Sequence, residues 1–416
     1  MAKLWINDKW EKIPKAPHHK SYYYRCHQFF NQKWSIVTMD RCLPIRQALK
    51  GVLNNTRVPL DILIDPTNSC NLKCKGCWAS EYNQTDNLSY EDLDDILKQC
   101  DDLNTRDILM TGGEPLVRRY DILKLAKKYS KHMTFGIFTN AQFIDEAFAN
   151  EIAKTPNLTV FISIEGTKEE TDFRRGDGVY DQCIKAMKLL KDRGVAFAIS
   201  VCYHSMNYEF VSSKEFLDDM QGKGAWMAWY FNYFPVGKNA DITLVCSPEQ
   251  REIVARRLKA YYDEKRFVII DFWNYGHMTE GCVAAGTGFV HINAKGDIEP
   301  CAFCHYSDSN IHDVLLKDAL MSPFFKKFRS MQPFNKNPLR SCPMVDNPEK
   351  IVEIVNSTGA KSTHIVNPES AEELADKMIP IAKAWAKKSE EINLDYKEYR
   401  FFERIMRVKT KGFNRR

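Results

Sequence analysis

Short apolar runs alternate with amphipathic stretches between Pro59 and Tyr262. Six of the runs have the length and composition of buried strands; they are Leu60–Ile64, Asp107–Met110, Thr134–Phe138, Leu158–Ile164, Val195–Tyr203 and Trp226–Phe234. The stretches between and after them carry apolar residues at helical spacing; they are Tyr90–Asp101, Tyr120–Ser130, Asp145–Lys154, Val179–Arg193, Ser213–Gln221 and Ser247–Tyr262. Such alternation predicts βαβ units and a parallel sheet, which right-handed crossovers would curl into a full or partial barrel.

The pattern changes after Tyr262. Phe267–Trp273 predicts one more strand, whereas Gly281–Pro343 is rich in Cys, Gly, Pro and Asn and has little regular period. That texture is typical of small modules held together by metal, and helical spacing returns over Ser370–Ile392. We therefore expect an α/β protein, a partial (β/α)6 TIM-like barrel with a small cysteine-rich C-terminal module and flanking helices.

Four divisions of the chain are expected from these changes of pattern. Residues 1–58 form a basic, aromatic-rich segment, residues 59–265 the barrel, residues 266–347 the cysteine-rich module and residues 348–416 a helical region with a basic tail. The chain of 416 residues carries a net charge of +5, too small to indicate a nucleic-acid partner. Basic residues are concentrated at both ends of the chain. Met1–Leu60 contains eleven Lys and Arg against three acidic residues, and the last 18 residues contain seven against one.

The sequence also indicates the cellular compartment in which the protein is expected. The start of the chain, MAKLWINDKWEK, is charged and lacks the apolar core of a secretory signal, and no run approaches the roughly 18 apolar residues of a membrane span. Thirteen cysteines without such a signal indicate thiols and metal ligands in a reducing compartment. We expect a cytoplasmic protein.

Three cysteines follow the first predicted strand, at the edge where parallel barrels place their active-site loops. Cys70, Cys74 and Cys77 lie within eight residues, and thiolates favour iron–sulfur clusters or zinc. Three thiolates leave one iron of a four-iron cluster open for a ligand. The alternatives are a zinc site completed by a ligand from elsewhere in the chain, or chance packing.

The spacing of these cysteines resembles the CxxxCxxC signature of the radical S-adenosylmethionine (SAM) superfamily. Segments at the ends of later strands resemble further motifs of that family; they are Thr111–Pro115, Thr139–Asn140, Ser163–Gly166, Arg174–Gly178 and Phe234–Lys238. The resemblance covers the barrel region and implies a catalytic [4Fe-4S] cluster on the three cysteines. The residues that it implies for binding SAM are Gly112, Gly113, Glu114, Pro115, Thr139, Asn140, Ser163, Glu165 and Arg175.

One position departs from the family pattern. The family usually has an aromatic residue just before the third cysteine, but Gly76 occupies that place here. Trp78 follows the third cysteine instead. Trp78 either stacks near the adenine of SAM or is an aromatic residue of the core.

A second cysteine set lies in the cysteine-rich module. Cys282, Cys301, Cys304 and Cys342 include a Cys–x13–Gly–x4–Cys spacing through Gly296, which resembles the start of the SPASM and twitch modules of radical SAM enzymes. Four thiolates would complete one auxiliary [4Fe-4S] cluster; a full SPASM module needs more cysteines, so the twitch-like case is expected. The alternatives are a four-cysteine zinc site, or His305 in place of Cys304.

The resemblance also implies the chemistry. SAM is cleaved reductively to a 5′-deoxyadenosyl radical, which abstracts hydrogen from an unactivated carbon, and an external donor such as flavodoxin or ferredoxin supplies the electron. Cys202, near the end of the fifth strand, is a candidate hydrogen-atom donor, and Tyr203 and His204 share its location. The remaining cysteines are expected to be buried small hydrophobic residues.

Two substrate classes follow from different features. Many relatives with such modules modify peptides or proteins, which makes a peptide the first expectation. Tyr399–Lys411 places aromatic and aliphatic residues on one helical stripe and basic residues away from it, as in helices that lie on anionic membranes. A lipid substrate with peripheral membrane contact is therefore the rival hypothesis, unless that helix packs on the protein itself. A non-catalytic iron–sulfur electron carrier would not need Gly112–Pro115 or Ser163–Gly166.

Overall fold

A computed structural model describes residues 58–392 apart from residues 266 and 280. The basic N-terminal segment, with Cys26 and Cys42, lies outside the described residues, and so does the helix predicted over Tyr399–Lys411. None of the described helices is long and apolar enough to cross a membrane.

Seven strands alternate with helices between Asp61 and Asp271. The strands are β1 (Asp61–Ile64), β2 (Asp107–Met110), β3 (Thr134–Thr139), β4 (Leu158–Ser163), β5 (Phe197–Tyr203), β6 (Ala225–Asn232) and β7 (Val268–Asp271). The helices between them are α1 (Tyr90–Leu103), α2 (Arg119–Lys128), α3 (Glu146–Ala153), α4 (Lys168–Arg175), α5 (Val179–Asp192), α6 (Tyr208–Val211), α7 (Lys214–Lys223) and α8 (Pro248–Lys265). Each of these strands is parallel to its sheet neighbours.

The cysteine-rich region adds to the same sheet. The elements of this region are α9 (Gly276–Thr279), β8 (Phe289–Ile292), β9 (Ile298–Glu299), β10 (Tyr306–Ser307), α10 (Leu316–Ala319) and α11 (Pro323–Ser330). The region after residue 347 contributes α12 (Pro348–Thr358), β11 (Lys361–Ser362) and α13 (Ala371–Glu391). The sheet order is β7-β6-β5-β4-β3-β2-β1-β8-β9, in which β8 runs parallel to β1 and β9 antiparallel to β8. The predicted α/β fold with a mostly parallel sheet and flanking helices is confirmed.

Local sequence explains where several helices begin. Ser89 and Asp92 form a reciprocal capping box at α1, and Thr167 with Glu170 does the same at α4. Such boxes satisfy backbone N–H groups that the first helical turn leaves without partners. Every residue of β4 is buried, as expected for a strand covered on both faces of a parallel sheet.

The elements that the hydrophobic pattern did not predict include α4 and β8. α4 buries Thr171 and Arg174 and no large apolar residue, so it has no apolar stripe to predict it. β8 is a four-residue run whose members are all buried, so it shows no alternation. The module was also expected to have little regular period, yet it contains a helix of eight residues, α11. The predicted domain divisions stay predictions.

The sheet has two apolar faces that define where a site can form. The outer face packs against the helices in one large core. On the inner face, Phe161, Ala198 and Met227 form a separate buried cluster with Phe138 and Trp229 packed against it. Loops after the carboxyl ends of the strands therefore surround an apolar interior.

Candidate functional site

The loop that carries the first cysteine set packs directly on the loop after β2. Gly113 N donates to Thr67 O at 3.0 Å, and Glu114 N donates to Ser69 O at 2.9 Å. A Cβ added at Gly112 would lie 2.7 Å from Thr67 O, and one at Gly113 would meet Ser69 O even more closely. The two glycines thus allow the backbones of these two loops to contact each other. The same two glycines were expected from the sequence to bind SAM.

Glu114 joins the ends of β2 and β3. Its buried carboxylate accepts hydrogen bonds from Leu116 N at 2.9 Å, from Thr139 Oγ1 at 2.7 Å and from Asn140 N at 2.7 Å. Burial raises the pKa of Glu114 to about 7, although these donors and Arg175 oppose the rise. The carboxylate therefore holds the loop on which Asn140 is carried.

The first cysteine set lies half-buried above this support. Cys70 Sγ accepts from Leu72 N at 3.4 Å and lies 3.9 Å from Asn140 Nδ2. Burial, together with the charges of Glu114, Cys77 and Cys74, raises the pKa of Cys70 to about 12. Thiols that disfavour each other's ionisation become thiolates when a positive metal centre lies among them.

Two buried arginines lie beside the first set. Arg174 Nη1 is 2.8 Å from Glu165 Oε1, and Arg175 Nε is 2.7 Å from the same oxygen. Glu165 is completely buried and its other oxygen accepts from Cys202 N at 3.2 Å. Burial raises the pKa of Cys77, and the two arginines oppose that rise. One carboxylate against two guanidinium groups leaves a net positive charge next to the cysteines.

The second cysteine set is held by a separate network. Cys282, Cys301 and Cys342 are half-buried and Cys304 is fully buried. Cys342 N donates to Asp346 Oδ2 at 3.1 Å, and Asp346 Oδ1 lies 2.8 Å from Arg251 Nη1. Burial, with the neighbouring Cys342 charge, raises the pKa of Cys301 to about 12, so this set has the same electrostatic need for a cation as the first.

His305 is turned away from the second set. Its Nε2 lies 2.8 Å from Ala302 O, and its Nδ1 pairs with His364 Nε2. Cys304 rather than His305 lines the cavity that the other cysteines share. Within the described ranges, no group of three His, Cys, Asp or Glu side chains is arranged to hold a single metal ion.

One cavity of about 450 Å³ connects the two sets. All seven predicted metal-ligating cysteines line it. The predicted SAM-binding residues on its wall are Gly112, Gly113, Glu114, Thr139, Asn140, Ser163 and Arg175, together with Arg174. Pro115 and Glu165 are buried behind that wall. The strand ends that the sequence placed along the chain therefore converge on one space.

Comparison with known proteins agrees with this convergence. Residues 64–217 match the Radical SAM superfamily. This chain is a radical SAM enzyme. Among its relatives is the AdoMet-dependent heme synthase of Oleidesulfovibrio alaskensis, 23% identical over 329 residues, which are 69% of this chain and 83% of that protein. Another is the PqqA peptide cyclase of Granulibacter bethesdensis, 24% identical over 303 residues, which are 68% and 79% of the two chains.

A solved structure shows the same fold. Streptococcus suis SuiB bound to the precursor peptide SuiA is 21% identical to this radical SAM enzyme, covers 78% of each chain and superposes with a TM-score of 0.60. The family implies a [4Fe-4S] cluster and SAM. The residues present fit that pair, because three mutually repelling thiols face a cavity beside a net positive charge.

Three residues at the end of β5 are candidate hydrogen-atom donors of this radical SAM enzyme. Cys202 is the only one of them that lines the cavity formed by the described residues. The Tyr203 hydroxyl faces Asn274 Nδ2 at 3.3 Å and Asp271 Oδ1 at 3.5 Å, in the core. His204 is buried and accepts from Met206 N at 3.2 Å. Cys100, Cys183 and Cys246 are buried, as predicted.

Two features near the first set were missed from sequence. Gly76 has φ of +63°, and a Cβ there would overlap the ring of Tyr233. Trp78 points toward the second set, with its ring centroid 5.7 Å from that of His291 and 6.1 Å from that of Phe303. The glycine at residue 76 indicated that another group lies close to the backbone there. The sequence did not indicate that this group is Tyr233, which follows β6.

A buried histidine bridge joins the surroundings of the two sets. His291 Nε2 lies 3.0 Å from Asp65 Oδ1, and its Nδ1 lies 2.7 Å from Glu299 Oε2. Burial opposes a charge on His291, but Asp65 and Glu299 outweigh it and raise the pKa to about 10. Asp65 begins the first cysteine loop and Glu299 precedes Cys301, so a charged bridge fixes one loop relative to the other. Asp65 is far from His291 and Glu299 along the chain, so the sequence pattern did not indicate this bridge.

Proposed function

We propose that this radical SAM enzyme modifies a peptide or protein by abstracting hydrogen from an unactivated carbon. The observation that carries the proposal is the single cavity of about 450 Å³ that both cysteine sets line. The peptide class is supported by two similarities, to a PqqA peptide cyclase and to SuiB with its bound precursor peptide.

The first cysteine set would hold the catalytic [4Fe-4S] cluster. Cys282, Cys301, Cys304 and Cys342 would hold one auxiliary [4Fe-4S] cluster of the twitch type. When bound, the catalytic cluster and SAM supply the 5′-deoxyadenosyl radical, with an electron from an external donor such as flavodoxin or ferredoxin.

The protein's own residues position SAM and keep water away. The backbone of Gly112–Glu114 lies at the cavity wall beside Cys70, where it would meet the SAM amino group. Ser163 lines the same wall at the end of β4 and would meet the ribose. Arg175 lies with Arg174 in a net positive pair that would attract the SAM carboxylate. Burial of these groups strengthens each interaction by lowering the local dielectric.

Cys202 would return a hydrogen atom to a substrate radical. Burial raises the pKa of its thiol to about 11, so the S–H bond is intact at neutral pH. Breaking that S–H bond would form a C–H bond on the substrate and leave a thiyl radical, which the external donor would reduce with one electron and a solvent proton. Cys202 shares the cavity with both cysteine sets.

The proposed function is tested with anaerobically reconstituted enzyme, SAM and dithionite. We expect 5′-deoxyadenosine, and we expect it to carry deuterium when a side-chain-deuterated candidate peptide is present. Candidate peptides are those encoded beside the gene. Deuterium that comes from labelled lipid or a labelled tetrapyrrole, and from no labelled peptide, would contradict peptide modification while leaving SAM cleavage intact.

A further inference from the structure

An unbroken row of aromatic rings lines the cavity between the two cysteine sets. We name it the aromatic wall; its rings belong to Phe138, Trp229, Phe231, Phe272, Trp273 and Phe303. Successive ring centroids are 5.5, 5.7, 5.5, 5.2 and 4.8 Å apart. These separations are typical of favourable aromatic contacts. The wall runs from β3, near the first set, to Phe303, between two cysteines of the second set.

Four of the described residues that line the cavity each have a buried side-chain polar atom without a hydrogen-bond partner, and two of them lie on β6. Asn232 Oδ1 and Trp229 Nε1 are both buried and unpartnered, and both residues line the cavity. Asn232 is only 5% exposed. Leaving such a group without a partner costs about 1–3 kcal/mol, so each is a place where a ligand atom would be stabilised. One accepts and the other donates, which matches the N–H and C=O of an amide.

The charged groups of the cavity have partners within the protein. The charged side chains that line it within the described residues are Asp61, Glu114, Arg174 and Arg175. Glu114 is held by donors of the loops after β2 and β3, and the arginines are held by Glu165. A charged group placed against the aromatic wall would lose its water without gaining a counter-charge, which is costly.

We infer that the aromatic wall is the substrate subsite, that it takes an aromatic or branched aliphatic side chain of a peptide, and that Asn232 and Trp229 pair with backbone amide groups of the same peptide. The inference deepens the proposed peptide modification and rests on it. An apolar side chain fits rings that have no charge among them, and backbone amide groups of the peptide satisfy the two unpartnered atoms on β6. An alkyl chain alone would cover Asn232 without giving it a partner.

Binding of blocked tripeptides tests the inference without any turnover. Full-length enzyme, reconstituted anaerobically and loaded with SAM, is titrated with N-acetyl-Ala-Xaa-Ala-amide in which the central residue is Leu, Phe, Asp or Lys. Saturation-transfer NMR reports binding at millimolar concentrations. We expect the Leu and Phe peptides to bind and the Asp and Lys peptides not to bind. Equal binding of all four, or of none, would overturn the subsite.

Variants separate the amide contact from general packing. Asn232→Leu and Trp229→Phe should each weaken the Leu peptide about tenfold, the effect of losing roughly 1.4 kcal/mol of hydrogen bonding. Trp226→Phe is the matched control, because it makes the same change on β6 outside the cavity lining and should leave affinity unchanged. Octanol has no amide, and its binding should not fall in Asn232→Leu. Unchanged peptide affinity in both cavity variants would show that the amide contact is wrong.

The binding result and the proposed function can fail separately. Transfer of deuterium from a labelled peptide together with no preference for apolar tripeptides would reject the aromatic wall and keep peptide modification. Preference for octanol over every tripeptide, with deuterium transfer from lipid alone, would reject both. Iron content and circular dichroism of each variant show whether it has folded, and Trp229→Phe provides a second measurement if Asn232→Leu has not.

Discussion

Tyr233 occupies the space into which a side chain at residue 76 would project. Gly76 also has a left-handed backbone, with φ of +63°, that costs other residues about 1–2 kcal/mol. The loop between the second and third cysteines therefore fits under a ring that comes from beyond β6. A side chain at residue 76 has to displace either the ring or the loop.

Gly76→Ala should consequently lower iron retention and SAM cleavage more than backbone strain alone would. Gly178→Ala is a matched control, because Gly178 has φ of +80° but open space around its added Cβ. Adding Tyr233→Ala to Gly76→Ala should recover part of the iron. Iron assays and 5′-deoxyadenosine yields measure both effects. Equal losses in Gly76→Ala and Gly178→Ala would show that the ring of Tyr233 does not matter.

The two cysteine sets should bind iron independently. Anaerobic protein is expected to contain about eight irons, in two four-iron clusters. Substituting Ala for Cys70, Cys74 and Cys77 should leave about half of the iron and abolish SAM cleavage. Substituting Ala for the second set instead should also leave about half, with the SAM-dependent spectral change retained. Full iron content in the first variant would contradict the assignment of the catalytic cluster.

Arg175 and Ser163 should contribute to SAM affinity. Arg175→Ala leaves Glu165 paired with Arg174 at 2.8 Å, so the fold should survive the change. Loss of a hydrogen bond to a charged group costs about 1.5–3 kcal/mol, or roughly ten- to a hundredfold in affinity. Anaerobic isothermal titration measures this, with Lys168→Ala on the exposed side of α4 as the control. Glu114→Ala should instead disturb the loop, because its carboxylate is used by Leu116, Thr139 and Asn140.

Cys202 should deliver solvent hydrogen to the product if it is the hydrogen-atom donor. Its thiol proton exchanges with D₂O, so wild-type product should contain deuterium and Cys202→Ala product should not. With the pKa of the thiol raised to about 11, incorporation should not change between about pH 7 and 9. Cys183→Ala, a buried cysteine outside the cavity lining, is the control. Deuterium in the Cys202→Ala product would identify another donor.

The basic C-terminal residues test the rival lipid substrate. Each Lys or Arg near an anionic surface is worth about 1 kcal/mol, so the full chain is expected to sediment with anionic vesicles at low salt and not with neutral ones. Deleting Tyr399–Arg416 should weaken that binding and preserve SAM cleavage. No vesicle binding by the intact chain removes the sequence argument for a lipid. An insoluble deletion variant would mean that Phe401 and Phe402 pack on the protein.

The strand ends were predictable because each apolar run ends in polar or glycine-rich residues. Glu114 and Asn140 lie at such ends, and the parallel sheet brings them within hydrogen-bonding distance. The pattern could not reveal Tyr233 above Gly76 or His291 between Asp65 and Glu299, because these contacts join residues that only the closed fold brings together. It also missed α4, since a helix that buries an arginine against a glutamate shows no apolar stripe.

The pairing of β8 with β1 has a consequence for synthesis on the ribosome. β1 is paired along one edge by β2 and along the other by β8, so its second edge gains a partner only after residue 292 has emerged. Until then the strand that leads into the first cysteine loop presents free backbone groups to any other strand nearby. Slower translation or a chaperone that covers this edge should therefore raise the yield of soluble chain before any iron is inserted.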